Sequence, residues 1–365
     1  MTAATEAKPQ KLSKAGSLLD NEQRLAYWLL APTFVILFAV AFYPLGSVFY
    51  SSFTNDTFAS AVQTDFVGLE NYSNLLSVTL KELPPEIDEA TGQQVIDADT
   101  GEPEFVSSIQ VLPRDPRRYR EVGTFGFFGK QYVFGATDAD FIESIYDTTR
   151  FSAVTLFFET LLGLGIAIAL NTAFPGRGLM RAAMLVPWAI LTAVSSRIWE
   201  WMFIDTRAGF FNIIFQKLGF TDGQTPFLAD SATQLPAAII IDVWKTTPFM
   251  ALLLLAGLAI IPSELYEAAE VDGANKWKQF TAVTLPLLKP TLAVALVFRT
   301  LDALRVFDLF QIVFAQKKYS MASFAYYQLI DSQALGYSSA ASVIIFFIIT
   351  AFAILYIRFL GVTSD

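Results

Sequence analysis

Neither cysteine nor histidine occurs anywhere in these 365 residues. Thiol nucleophiles, disulfides, imidazole bases and the usual zinc ligands are therefore excluded together. Charge is also scarce: Asp, Glu, Lys and Arg make up 16% of the chain, with 34 acids against 25 bases and a formal net charge of −9. No basic patch follows the pattern of a nucleic-acid surface, so no nucleic-acid partner is expected. The chain has no Gly-x-x-x-x-Gly-Lys-Ser/Thr phosphate loop. Gly129-Lys130 lacks both the earlier glycine and the following hydroxyl residue, so ATP chemistry is not expected of this chain. Acids such as Asp97 and Asp99 are too sparse for a calcium loop, and no metal site is expected.

What the chain has in quantity is apolar length. Hydrophobic residues make 54% of it and the mean hydropathy is +0.46, values of the membrane class. A spanning helix needs about 20 mostly apolar residues. Six windows qualify, at roughly 26–49, 151–170, 182–203, 235–260, 291–314 and 338–360. The expected organisation is a polar N-terminal tail (1–25), a first transmembrane helix (26–53), a long outer loop (54–149) and a core with five further helices (150–361). The tail carries Lys8, Lys11, Lys14 and Arg24, and its length argues that the first span is retained rather than cleaved.

Basic residues in the short loops set the expected orientation. The tail, Arg177 and Arg181, Lys276, Lys278 and Lys289, and Arg358 fall on one side, which is read as cytoplasmic. Both termini are then cytoplasmic, and Trp199 and Trp201 sit near the outer interface. Most of the negative charge is local: residues 77–143 hold 13 acids and 6 bases. Within the outer loop, about 77–137 reads as an inserted cap with strands at Phe105–Leu112 and Thr124–Phe134 and a turn at Asp99–Pro103. Two roles stay open for it: a small β-rich cap solvated by its acids, or a contact for a substrate-binding protein outside the membrane.

The most specific pattern lies at 262–290. Glu267-Ala268-Ala269 is followed after three residues by Gly273, then after nine by Val283, Thr284, Leu285 and Pro286. Pro262 ends the preceding helix, Ser263 is a candidate N-cap, and Glu264, Glu267 and Glu270 lie towards the positive end of the next helix. Leu265, Ala268 and Ala269 form a small apolar face. Gly273 permits a left-handed stop, and Asn275–Ala282 can form a second short helix. The expected product is a helix pair on the membrane surface, with a face suited to a groove on another protein.

This spacing resembles the EAA loop of ABC-importer permeases, with Val283 in place of Ile. Phe66-Val67-Gly68-Leu69-Glu70-Asn71-Tyr72 resembles the Gly-Leu-x-Asn-Tyr segment that follows the first helix of sugar permeases. By this resemblance, which runs from Leu25 to Arg358 apart from the insertion, the chain is similar to binding-protein-dependent sugar permeases of the maltose/trehalose type. The resemblance implies an all-α integral membrane protein with the six-helix type I (MetI-like) fold and a small β-rich extracytoplasmic insertion, in a bacterial or archaeal cytoplasmic membrane. It implies Glu267, Ala268, Ala269, Asp272, Gly273, Leu285 and Pro286 as the contact with two cytoplasmic ATPase subunits, which bind the ATP and Mg. It also implies a second, non-identical permease and an extracytoplasmic sugar-binding protein as partners, and no cofactor or catalysis in this chain.

Charged residues inside the spans are the remaining signal, because they are costly in hydrocarbon. Arg299, Asp302, Arg305 and Asp308 recur every three residues. They read either as a self-paired ladder that lets the helix insert or as a polar wall for a hydroxylated substrate. Asp242-Val243-Trp244-Lys245-Thr246-Thr247-Pro248 repeats the theme, and Pro248 is expected to break its helix. The sugar-permease resemblance implies Trp188, Thr192, Asp242, Trp244, Thr246, Asp302 and Arg305 as cavity-lining positions for an α-glucoside disaccharide. Three other classes stay in view: an ion-coupled transporter using Asp302 or Asp308, a membrane enzyme, and a sensor without sugar flux. The ion-coupled class explains the charges but not the loop spacing. The enzyme class finds no local constellation of acid, base or nucleophile.

Overall fold

The computed structural model describes residues 13–60, 63–88, 92–96 and 101–359. Lys8, Lys11, Asp97 and the first half of the expected turn at Asp99–Pro103 lie outside the described residues.

Apolar length dictates the helices. Among the described residues five segments are long and apolar enough to cross a membrane: Arg24–Ser51, Ala139–Asn171, Ser231–Ile260, Lys276–Val313 and Leu335–Tyr356. A sixth crossing is made if Arg177–Ala189 and Thr192–Met202 count as one span bent by 87°. The first span is α1 (Ser13–Leu37) and α2 (Tyr43–Ser51), joined by a π-helical turn at Phe38–Phe42. It touches the rest of the chain at its far end, where Phe49 packs edge-on against Phe346 and Phe347.

The chain then turns back through a strap. Asn71, in α3 (Glu70–Leu76), donates from its amide to the carbonyls of Ser52 (3.0 Å) and Thr54 (2.8 Å), and the Tyr72 hydroxyl donates to Ser52 Oγ (2.7 Å). The Asn-Tyr pair singled out in the sequence thus closes the loop after the first helix. The cap follows: β1 (Val78–Leu83), a one-turn helix α4 (Ser108–Val111), β2 (Arg120–Phe127) and β3 (Lys130–Ala136). These strands form an antiparallel sheet in the order β1-β3-β2, with Val78 opposite Ala136 and Phe127 opposite Lys130.

This corrects both expected strands. Residues 105–112 make one isolated bridge, Phe105 to Pro85, and then coil into α4. The run 124–134 is two strands, because Phe128 and Gly129 both take positive φ (48° and 75°) and form a two-residue hairpin turn. The strand that was missed, Val78–Leu83, pairs through backbone groups and places Leu83 against Val133 and Leu112 in the cap's small core.

Asp138 N-caps α5 (Ala139–Asn171) by accepting from the Phe141 N–H at 3.0 Å, so this helix begins well before the apolar window at 151. Next come α6 (Arg177–Met184), α7 (Val186–Ala189), α8 (Thr192–Met202), α9 (Phe210–Lys217) and α10 (Ser231–Ile260). The third window is therefore broken rather than straight. The fourth is the reverse: α10 runs unbroken through Pro248, whose ring costs one backbone bond that the flanking turns absorb. Trp199 is buried and stacks on Phe203 and Phe211, so it is a core residue and not an interface ring.

The loop helices α11 (Ser263–Val271) and α12 (Lys276–Gln279) lead through a π-helical turn at Phe280–Thr284 into α13 (Leu285–Ala303). Then α14 (Asp308–Val313), α15 (Met321–Ile330) and α16 (Leu335–Phe359) complete the chain. Three packing centres hold the helices. Phe151, Ile241 and Phe310 anchor one; Phe141, Phe324 and Ala341 the second; Leu170, Leu254 and Leu288 the third. Close approach of α10 and α13 depends on Gly257, where a Cβ would stand 2.6 Å from Thr291 Oγ1 and 2.8 Å from Leu288 Cδ1.

Candidate functional site

Two sites emerge, joined by the same helices. The first is a polar cavity of about 510 Å³ between the broken third span, α10 and the end of α13. That volume falls within the range of roughly 300–1,000 Å³ usual for small-molecule sites. The break supplies one wall: α7 stops at Ala189 and α8 restarts at Thr192, which leaves carbonyls at the end of α7 without helical partners. Lys245, buried on α10, satisfies them by donating from Nζ to the carbonyls of Ile190 (2.6 Å) and Trp188 (3.5 Å).

Six of the seven residues proposed for the sugar site border this cavity: Trp188, Thr192, Asp242, Thr246, Asp302 and Arg305. Trp188 also flanks a second cavity of about 260 Å³ beside the first, and its ring stacks on Phe249 at 5.8 Å. Trp244 is the exception. It lies off the cavity with its ring edge against Trp199 at 5.4 Å. A helix turns about 100° per residue, so Asp242, Lys245 and Thr246 share one face of α10 and Trp244 falls on another.

The charge row on the fifth span forms only its first rung. Arg299 Nη1 donates to Asp302 at 3.1 Å. The helix ends at Ala303, after which Arg305 Nε turns back to the Leu301 carbonyl and Asp308 opens α14. The three-residue period therefore does not continue as a ladder. Arg299 instead enters the protein interior, where its side chain is 2% exposed. Its Nε and Nη2 clasp both oxygens of Glu159 at 2.7 and 2.9 Å, a bidentate pair. Its Nη2 also donates to Asp242, and Thr246 Oγ1 donates to Glu159. One guanidinium thus ties α5, α10 and α13 together. Glu159 was not singled out, although it is the only charge in the apolar run 151–170 and was visible as such. Asp308, the last residue of the charge row, also borders the cavity, as does Ser196, which was not singled out.

The second site is the loop at 262–290. Pro262 itself holds the cap position of α11, and its fixed φ makes the turn, so Ser263 enters the helix and does not cap it. Gly273 takes φ +78°, the left-handed stop its position called for. The stop is closed by bonds from Gly273 N–H to Glu270 O (3.0 Å) and Ala274 N–H to Ala269 O (2.8 Å). Asn275 caps α12 through the Lys278 N–H at 2.9 Å, and the Tyr266 hydroxyl bonds Thr284 Oγ1 at 3.0 Å, which ties α11 to the π-helical turn at the start of α13. Glu267, Ala268, Asp272, Gly273 and Pro286 are exposed, while Ala269 and Leu285 are half-buried. Val271 and Trp277 stand 88% and 72% exposed. From the loop, α10 and α13 both reach the cavity: Ile260 to Thr246 and Leu285 to Arg299 each span 14 residues, about 21 Å at 1.5 Å per residue.

Comparison with known proteins supplies the family. The trehalose/maltose transport system permease protein MalF of Thermococcus litoralis is 43% identical over 235 residues, 63% of this chain and 78% of that one. The trehalose transport system permease protein SugA of Mycobacterium tuberculosis is 30% identical over 354 residues, 96% of this chain and 93% of that one. A solved bacterial ABC transporter involved in the import of the acidic polysaccharide alginate superposes with a TM-score of 0.67 at 18% identity, covering 96% of this chain and all of that one. That likeness shows the fold, an ABC-importer permease fold with a small sheet added. Residues 160–361 match the model for the binding-protein-dependent transport system inner membrane component, and the chain belongs to that family.

Proposed function

We propose that this chain is one transmembrane half of an ATP-driven importer for a neutral α-glucoside disaccharide, trehalose or maltose. The observation that carries the reading is that two helices, α10 and α13, each run from the loop to the cavity. The exposed loop helices and the cavity lie at opposite ends of the same stretches of α10 and α13, so a push on one displaces the walls of the other. The two relatives with the highest identity given above carry trehalose and maltose in their names, which favours these sugars.

The mechanism follows from the parts. A soluble binding protein delivers the sugar at the end that carries the cap. Carboxylates at Asp242 and Asp302 accept from sugar hydroxyls, and Arg305 donates to them. Trp188 offers an apolar ring face to a pyranose. On the cytoplasmic side, α11 seats in a groove of an ATPase subunit, with Glu267 available to a basic partner residue. ATP binding closes the ATPase dimer, and that movement tilts this chain against a second, non-identical permease. The termini are then cytoplasmic, ATP and Mg stay on the partner subunits, and no bond of the sugar is made or broken.

The test is uptake of labelled trehalose and maltose by proteoliposomes that hold this chain with its co-expressed partner permease, ATPase and binding protein. Uptake that needs internal ATP, resists a protonophore and falls at least tenfold in Trp188→Ala is the expected result. Uptake abolished by a protonophore but indifferent to ATP refutes the ATP-driven reading in favour of an ion-coupled one.

A further inference from the structure

The cavity wall balances its own charges: Asp242, Asp302 and Asp308 face Lys245, Arg299 and Arg305. A wall of three acids and three bases has no sign of its own to select an uncharged cargo over an acidic one. The sign is supplied from behind. Glu159 is wholly buried and does not reach the cavity, yet it occupies Nε and Nη2 of Arg299 at 2.7 and 2.9 Å. It is also the only acid on the membrane-spanning stretch of α5 from 151 to 170, so nothing else on that helix replaces it.

We infer that Glu159 is a positioning residue that sets the charge preference of the transport cavity. By holding Arg299 from the rear through Nε and Nη2 it fixes the guanidinium so that Nη1 and the partners Asp242 and Asp302 face the cargo. It also adds a fourth acid against three bases. A neutral sugar then meets hydroxyl acceptors, and a carboxylate- or sulfonate-bearing sugar meets a net negative surface. Thr246 takes part, since its hydroxyl donates to Glu159 and keeps the acid in register with α10. The inference rests on the sugar-import reading above and adds to it the residue that enforces an uncharged cargo.

The test uses the complete importer in lipid nanodiscs, without the binding protein, so that the cavity alone discriminates. Competition binding followed by saturation-transfer NMR compares trehalose and maltose with the glucuronosyl-glucose analogue of each, which differs by one carboxylate. The wild type is expected to prefer the neutral sugar. Glu159→Gln should reduce that preference by about tenfold, the scale for one unit charge some 8 Å away in a partly hydrated site, and Glu159→Asp should retain it. An assembled Glu159→Gln complex with the wild-type preference overturns the inference. Should that variant fail to assemble, Glu159→Asp carries the test, since it keeps the charge on a shorter side chain; an assembled Glu159→Asp complex that has lost the wild-type preference overturns the inference equally. If the wild type binds neither neutral sugar, it is the substrate reading that falls.

Discussion

Replacing Gly273 tests whether the shape of the loop, rather than its mere presence, carries the coupling. The residue sits at φ +78°, and no atom lies within 4 Å of where a Cβ would stand. A side chain there meets no steric obstacle, so the whole cost is conformational. Holding an ordinary L residue in the left-handed region costs roughly 1–2 kcal/mol. Asn tolerates that region better, and a β-branched residue tolerates it worse. If the loop escapes the strain by leaving its closed shape, the docking-competent population falls by a factor of about 5–30 for 1–2 kcal/mol. The expected order of damage is therefore Gly273→Asn, then Gly273→Ala, then Gly273→Val. The assays are retention of the ATPase subunits on affinity-purified permease and ATP-driven uptake, with membrane insertion as the control that should not change. Wild-type coupling in Gly273→Val refutes the reasoning, and so does equal damage from Asn and Val, because the open space around the site leaves no other reason for harm.

Two further outcomes follow from packing and from titration. Gly257→Ala places a methyl 2.6–2.8 Å from Thr291 and Leu288, an overpacking worth about 1–3 kcal/mol. The melting temperature of the purified complex should fall, with partial recovery when Thr291→Ala is added; an unchanged melt argues that α10 and α13 are not held this close. Burial pushes the Asp138 carboxyl above its usual 3.8, against hydrogen bonds from the Tyr337 hydroxyl and the Phe141 N–H that favour the charged form. Because the folded value is the higher one, this group's stabilising contribution is complete below pH 3.8 and is lost as pH rises through the raised value. Stability measured from pH 4 to 7 should therefore decline more steeply in the wild type than in Asp138→Asn, and parallel profiles would contradict the assignment.

The legible parts of this chain were those decided locally. Window length located the spans, and Gly273 announced its turn because only a residue without a Cβ takes that φ cheaply. The illegible parts were decided by partners distant in sequence. The bend between Ala189 and Thr192 lies in a stretch apolar throughout, and what satisfies it is the ammonium of Lys245, more than fifty residues on. The row Arg299, Asp302, Arg305 and Asp308 looked self-sufficient because its spacing is helical, but the helix stops at Ala303 and the strongest partner of Arg299 is on α5. Trp188 and Trp244 are alike in composition and setting; Trp188 borders the cavity from α7, while the rotation of α10 turns Trp244 away onto Trp199 of α8. In the cap, Val78–Leu83 has too few alternating apolar residues to read as a strand, and 105–112 has more than its structure uses.

The strap after the first helix also constrains how the protein is made. Gly336 N–H bonds the Asp56 carbonyl at 2.9 Å and Phe58 N–H the Gln333 carbonyl at 2.7 Å, while Phe49 meets Phe346 and Phe347. The end of the first span and the strap are therefore docked by residues made roughly 280 positions later. At about 5–20 residues per second, the first span waits roughly 15–60 s for them. Throughout that interval it stands in the insertion machinery or the lipid without its α16 partners Phe346 and Phe347, and a ribosome that stalls before residue 330 leaves a nascent permease open at its seam, in reach of membrane quality control.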